Sequence, residues 1–313
     1  MKVLFITSTR IGDAVLSTSI LNYIKNKFPH TSLYIATGIS ASLLFKNFNN
    51  VKKTFILKKK FFKIHWLELW YQTFFNKWDI VIDLRGSVIS YFIFKKKKYV
   101  YKPINKNIHR LDELALLMKK KYLPLPSIPV LKKDIKKISK DFLKLKNSIA
   151  IGASANWPAK IWPSKNFVKL IKMILKEKKF GKKKSIVFFG SSKDLKNTEK
   201  IIKHFKERRV KNFCGKLNLI EVAVYLKKCK IFIGNDSVLM HIASASGIPT
   251  LGLFGPSLES RYAPKGNNAH YIRTKKTFNQ LTGAKNFDWN TKKNLMNSLS
   301  VNSVFKKIKE ILK

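Results

Sequence analysis

A carboxylate held where an apolar run turns into a helix can serve as a general base, and Gly12-Asp13 is such a pair. It follows Val3-Leu4-Phe5-Ile6 and opens a helical pattern that Pro29 stops. Glycine lets the chain turn sharply. Asp13 has a structural use as well, since an acid at a helix start caps N–H groups and suits the dipole. The two uses are compatible, because a cap also fixes the carboxylate in place. A second cluster, Gly152-Ala153-Ser154 through Lys160 to Trp162-Pro163, follows another apolar run. Its small residues, Ser154 among them, let a ligand approach the backbone. Lys160 stands just before a helix that Pro163 opens. A lysine there can meet a diphosphate, or it is one more surface lysine. Asp194, after Phe189-Gly190-Ser191-Ser192-Lys193, either binds ribose hydroxyls beyond a strand end or caps its helix.

The most informative stretch is Gly234-Asn235-Asp236-Ser237-Val238-Leu239-Met240-His241. A strand ends in Asp-Ser and a helix of small residues begins, so its free N–H groups form an anion site. Ser237 adds a hydroxyl. His241 reads locally as a buried, hydrogen-bonded imidazole. Gly247 and Pro249 end that helix. There is no Asp-x-Asp after a strand, the six His are scattered, and neither a phosphate-binding lysine loop nor a nucleophile elbow occurs. The expectation is chemistry with neither metal nor cofactor.

Alternating strand and helix patterns must position these residues. In the first half, strands are read at 3–7, 33–36, 54–57 and 79–84, with helical stretches between them. After the prolines at 124, 126 and 129 and a lysine-rich segment, the alternation restarts. The strands there are 148–151, 185–189, 231–233 and 250–254, and the helices 163–176, 193–205, 218–228 and 237–246. The tail, 301–312, reads as a last amphipathic helix. Repeated βα units imply parallel sheets covered on both faces. The reading is therefore α/β: two Rossmann-like domains, 1–147 and 148–313, facing each other across a cleft, where ligands of such sheets bind.

The chain has 313 residues, 45% of them hydrophobic, which suits two domains with cores and excludes disorder. No apolar run reaches the ~18 residues of a membrane span. Arg10 and Asp13 interrupt the N-terminus too early for a signal peptide. Two cysteines give no disulfide framework, which fits a reducing cytosol. A formal charge of +47 would attract phosphates of nucleic acid, lipid or substrate. Codon bias toward Lys, Asn, Ile and Phe explains such an excess equally well. No nucleic-acid-binding motif accompanies it, so no nucleic-acid partner is expected.

Together, Arg10-Ile11-Gly12-Asp13, Asp83-Leu84-Arg85-Gly86-Ser87, Pro158-Ala159-Lys160-Ile161-Trp162-Pro163, Gly234-Asn235-Asp236-Ser237 with Met240-His241, and Phe254-Gly255-Pro256-Ser257 resemble glycosyltransferase family 9, the ADP-heptose:lipopolysaccharide heptosyltransferases. The ordered set spans nearly the whole chain. The resemblance implies a GT-B architecture and a cytoplasmic enzyme at the inner membrane surface. It also implies a nucleotide-sugar donor and a lipid-linked acidic glycan acceptor. It casts Asp13 as general base, Lys160 as the donor-phosphate lysine and Asp236 as the aspartate near the donor sugar. Asp194 falls at the ribose contact and Leu217 near a backbone contact to adenine. Gly12, Ser154, Ser237 and His241 complete the donor side. Arg10, Lys59, Lys60 and Arg85 stand on the acceptor side. Two positions depart from the family: Val238 replaces a usual Gly, and Leu295 a frequent Cys.

The lysines at 52, 53, 58–60, 63 and 95–98 would suit a phosphorylated glycolipid. On a helix from Phe61 to Phe75, Phe62, Trp66, Trp70 and Phe74 line up, with Leu67, Tyr71 and Phe75 beside them. Such a face either lies in a membrane interface or packs against the sheet. Alternatives to transfer are a nucleotide-sugar epimerase on the same scaffold and a basic nucleic-acid-binding protein.

Overall fold

The computed structural model describes residues 1–58, 61–103, 107–143, 147–180, 184–206 and 209–313. It divides into two compact units, Met1–Pro129 and Val130–Lys313.

The first unit runs β1 (Lys2–Ile6), α1 (Ile11–Lys27), β2 (Ser32–Thr37), α2 (Ile39–Ser42), β3 (Val51–Ile56), α3 (Ile64–Phe74), β4 (Trp78–Asp83), β5 (Lys95–Val100) and α4 (Arg110–Leu117). Its five strands are parallel, in the order β3-β2-β1-β4-β5. The order reverses between β1 and β4, so the unit has its switch point there. Central β1 is buried from Val3 to Ile6, which is why its sequence is an unbroken apolar run.

The second unit runs α5 (Lys132–Ile135), α6 (Lys140–Leu143), β6 (Ser148–Gly152), α7 (Ser164–Lys176), β7 (Ser185–Phe188), α8 (Leu195–Ile202), β8 (Val210–Asn212), α9 (Leu219–Leu226), β9 (Ile231–Asn235), α10 (Val238–Ala245), β10 (Thr250–Phe254), α11 (Glu259–Tyr262), β11 (Ala269–Arg273), α12 (Phe278–Thr282) and α13 (Val301–Ile311). Six parallel strands take the order β11-β10-β9-β6-β7-β8, with the switch between β6 and β9. The α/β reading with two parallel sheets is observed. Residues 130–143 belong to the second unit through packing on α9: the Phe142 ring packs at a tilt against Tyr225, with centroids 4.2 Å apart and planes 48° apart, and the Tyr225 hydroxyl accepts from Ser139 N–H at 2.9 Å. The closing helix α13 packs beside α7, burying Val304 and Ile308 in the same core as Phe167 and Ile171.

Three strands escape the sequence reading: β5, β8 and β11. All three are sheet edges. An edge needs little apolar surface and tolerates charge, so Lys95–Lys98 lie within β5 although they read as cations alone. The segment 61–75 is also corrected. The helix starts at Ile64, and Phe62 sits outside it with φ 46°. Trp66 and Trp70 pack on the core around buried Leu69, whereas Leu67, Tyr71 and Phe75 face solvent. The helix thus buries one aromatic face and exposes the other. Among the described residues, no helix is long and apolar enough to cross a membrane.

Candidate active site

Both groups of candidate residues sit at a switch point, beyond the carboxyl ends of central strands. In the first unit, β1 leads through Thr7–Arg10 into α1. Arg10, not Asp13, is the N-cap, and its side chain makes no capping bond. Asp13 lies in the first helical turn, half-buried, and so is not the cap that its position in the sequence suggests. Beside it, β4 ends in Asp83. That carboxylate is fully buried and accepts four hydrogen bonds: from Arg85 N–H at 2.8 Å, Ser87 N–H at 2.7 Å, Ser87 Oγ at 2.6 Å and Ser90 Oγ at 2.7 Å. The turn it organises needs Gly86, whose φ is +60° and where a Cβ would stand 2.9 Å from the Tyr101 carbonyl oxygen. The turn delivers Arg85, whose Nη1 donates to Thr9 Oγ1 at 3.0 Å and whose guanidinium lies over the Trp66 ring. Arg10, Asp13 and Arg85 therefore share one rim.

A further cation belongs to this rim and has no counterpart in the sequence reading. Arg110, at the start of α4, is buried with Glu113 in an ion pair, and the Tyr101 hydroxyl donates to Glu113 at 2.9 Å. Burial alone would lower the Arg110 pKa. Glu113, Tyr101 and Asp13 outweigh it and hold the guanidinium above its ordinary range. Nothing local in the sequence marks Arg110; its role comes from α4 packing against α1.

In the second unit, Gly152 and Gly234 face each other in register at the ends of β6 and β9. A Cβ on Gly234 would stand 2.7 Å from the Gly152 carbonyl oxygen, and one on Gly152 would stand 2.6 Å from the Phe232 ring. Beyond them, Lys160 Nζ meets Asp236 Oδ2 at 2.6 Å. Several bonds hold the lysine segment. Trp162 N–H donates to Asn235 Oδ1 at 3.0 Å, Asn294 Nδ2 to the Ile161 carbonyl at 2.6 Å, and Leu295 N–H to the Ala159 carbonyl at 3.2 Å. Leu295 thus serves through its backbone. Ser237 is the N-cap of α10 without a side-chain cap bond, and His241 is buried one turn on.

Around this pair, the buried hydroxyls of Ser154, Ser237 and Ser257 and the Asn235 amide nitrogen have no hydrogen-bond partner among the described residues. Unsatisfied buried polar atoms are uncommon in folded proteins. Here they cluster at the ends of β6, β9 and β10, where the N–H groups of α10 also begin. The arrangement suits an anion with several acceptor oxygens.

Asp194 caps its own turn: its Oδ2 accepts from Ser191 N–H at 2.7 Å and from Ser191 Oγ at 2.8 Å. Gly215 N–H donates to the Gly190 carbonyl at 2.9 Å, which brings the turn before Leu217 against the Asp194 turn. Lys59 and Lys60 lie outside the described residues.

Residues 90–286 match the model of glycosyltransferase family 9 (heptosyltransferase). The chain belongs to glycosyltransferase family 9. It is similar to lipooligosaccharide heptosyltransferase 2 of Campylobacter jejuni, 26% identical over 287 residues and 85% of each chain. With lipooligosaccharide heptosyltransferase 2 of Haemophilus influenzae it shares 27% identity over 312 residues, covering 87% of this chain and 88% of the relative. Its fold matches a family 9 glycosyltransferase from Veillonella parvula, with TM-score 0.81 and 19% identity over 99% and 97% of the two chains. It also matches E. coli ADP-heptose heptosyltransferase II, with TM-score 0.76 and 18% identity over 100% and 98%. This family 9 chain is thus a glycosyltransferase with the GT-B fold, and both switch points carry the motifs by which its sequence resembles the family.

Proposed function

We propose that the chain transfers a heptose from ADP-heptose to the inner core of lipopolysaccharide, at the cytoplasmic face of the inner membrane and without a metal ion. The observation that carries this reading is the set of buried hydroxyls, Ser154, Ser237 and Ser257, that have no partner among the described residues around the Lys160–Asp236 pair at the start of α10. A diphosphate offers acceptor oxygens to those hydroxyls and to the helix N–H groups, and charge to Lys160. The names of the relatives supply the sugar and the acceptor.

Asp13 takes the proton from the acceptor hydroxyl. The oxygen then forms a bond to the anomeric carbon as the bond to the diphosphate oxygen breaks, through an oxocarbenium-like state. The electron pair leaves with ADP. Lys160 and the α10 N-terminus stabilise the charge that gathers on it. Arg10 and Arg85 receive the acidic acceptor. Val238, half-buried at the first position of α10, narrows the approach to the diphosphate and tunes the donor sugar.

Calorimetric titration with ADP in chelator tests the donor side. Replacing both Ser154 and Ser237 by Ala weakens ADP binding about tenfold or more, at roughly 1 kcal/mol per lost hydrogen bond. It does not lower the melting temperature, because neither hydroxyl has a partner to lose among the described residues. Equal affinity in the double variant would remove the diphosphate from this site.

A further inference from the structure

The first unit carries an apolar surface that the transfer chemistry does not use. The outer stripe of α3 exposes Leu67, Tyr71 and Phe75 at 66%, 70% and 80%. Phe61 and Phe62 precede it, both more than 80% exposed, and Phe62 is held outward by a left-handed backbone that a bulky residue rarely adopts. The segment before β5 adds exposed Phe92 and Phe94. The α3 stripe and the segment before β5 form one patch, and Phe61-Phe62 precede it in the chain. The Phe74 ring joins Phe75 at 5.2 Å and Phe94 at 5.3 Å, and Trp70 Nε1 donates to the Phe92 carbonyl at 3.0 Å. Residues 56–94 hold half of the exposed large apolar side chains among the described residues, which makes the patch a local feature and not a general one.

Its border is cationic. Among the side chains described within residues 58–98 there are six lysines and one arginine against three acids. Of the acids, Asp83 is buried, Asp79 is paired with Lys96 and Glu68 is at the surface. Lys98 reaches over the Tyr91 ring, 3.8 Å from its centroid, so the cations and the aromatics are in contact. An occupant must offer anionic groups at the border and an apolar interior directly behind them. A bilayer of anionic lipid meets both demands, with phosphates at headgroup level and acyl chains beneath. A nucleic acid offers no apolar interior to Leu67 and Phe75.

We infer that the α3 stripe, with Phe61-Phe62 and Phe92–Phe94, docks this chain on anionic lipid. The inference deepens the reading above, on whose lipid-linked acceptor it rests. The full chain, co-sedimented with vesicles of 70% phosphatidylcholine and 30% phosphatidylglycerol, binds them and leaves pure phosphatidylcholine largely unbound. The triple variant Leu67→Ser, Tyr71→Ser, Phe75→Ser partitions about 100-fold less, from the apolar area it withholds, and transfers to a deacylated, soluble acceptor at the wild-type rate. Phe61→Ser with Phe62→Ser, outside the helix, shows the same direction of loss if the triple variant fails to fold. Undiminished vesicle binding by both variants would overturn the inference. So would a wild-type dimer in sedimentation that the triple variant dissociates, because a second copy would then cover the patch. Vesicle binding without transfer to any acceptor would instead count against the proposed function and leave the docking surface standing.

Discussion

Lys160 Nζ lies 2.6 Å from Asp236 Oδ2, and this ion pair joins the loop after β6 to the loop after β9. The pair is largely shielded from water, with side-chain exposures of 20% and 6%. Removing one partner leaves the other as a shielded, uncompensated charge. Lys160→Met therefore lowers stability by about 2–4 kcal/mol and lowers kcat/KM by roughly 100-fold or more through loss of a leaving-group contact. Adding Asp236→Asn restores most of the stability but none of the activity. Denaturant midpoints and steady-state rates for the two single variants and the double separate these effects. Additive losses of stability would show that the pair is not coupled.

Asp83 predicts a different failure. Its Oδ2 accepts a backbone N–H and two hydroxyls, and its Oδ1 accepts the Arg85 N–H. In Asp83→Asn, the amide that replaces Oδ2 cannot accept from Ser87 N–H. Hydrogen bonds to a charged group are worth about 1.5–3 kcal/mol each, so the variant loses roughly that much stability. The turn that places Arg85 loosens with it, and KM for the acceptor rises more than KM for the donor. A rise confined to the donor would contradict the placement of Arg85 on the acceptor side.

The two thiols give a pH prediction. Burial pushes the Cys214 thiol from 9.0 up to about 11 and the Cys229 thiol up to about 12. Both stay protonated in the folded protein at neutral pH, so a thiol reagent labels the native chain slowly and the unfolded chain quickly. Each folded pKa lies above its unfolded value, so the folded state holds its protons longer. The contribution to stability is complete below pH 9 and is lost as pH rises from about 9 toward 11–12. Unfolding midpoints between pH 7 and 11, compared with a Cys214→Ala, Cys229→Ala variant, should show a steeper alkaline loss in the wild type. Equal slopes would contradict it.

Much of the fold is legible because buried parallel strands leave an unmistakable trace: β1, β6 and β10 are continuous apolar runs closed by small residues. The helix stop at Gly247 is equally plain, with φ +79° in the structure. What stays hidden is non-local. The edge strand β5 looks like a lysine tract, because an edge carries no two-sided apolar signal. Asp83 looks like the end of a strand, and only the returning hydroxyls of Ser87 and Ser90 make it a hub. Arg110 reaches the Asp13 rim through the packing of α4 on α1, across nearly a hundred residues of chain. The two faces of α3 carry similar residues, so composition alone does not reveal which one the sheet covers.

Asp13 is the residue on which the proposed chemistry turns, and its carboxylate accepts no hydrogen bond among the described residues. Asp13→Asn keeps the shape and removes the base. Transfer falls by about 10²–10⁴-fold, the usual worth of general-base catalysis, while ADP titrates with unchanged affinity. Undiminished turnover would remove Asp13 from the mechanism.

The most direct test of the central claim is a transfer assay with the wild-type chain. The purified protein is incubated with ADP-heptose in chelator, with and without a deacylated lipopolysaccharide core. ADP release and product mass are followed. The account predicts ADP release that depends on the acceptor, survives the chelator and yields a core one heptose heavier. Conversion of the nucleotide sugar without an acceptor would make the chain an epimerase, and no reaction with any nucleotide sugar, at any metal concentration, would contradict the assignment of transfer.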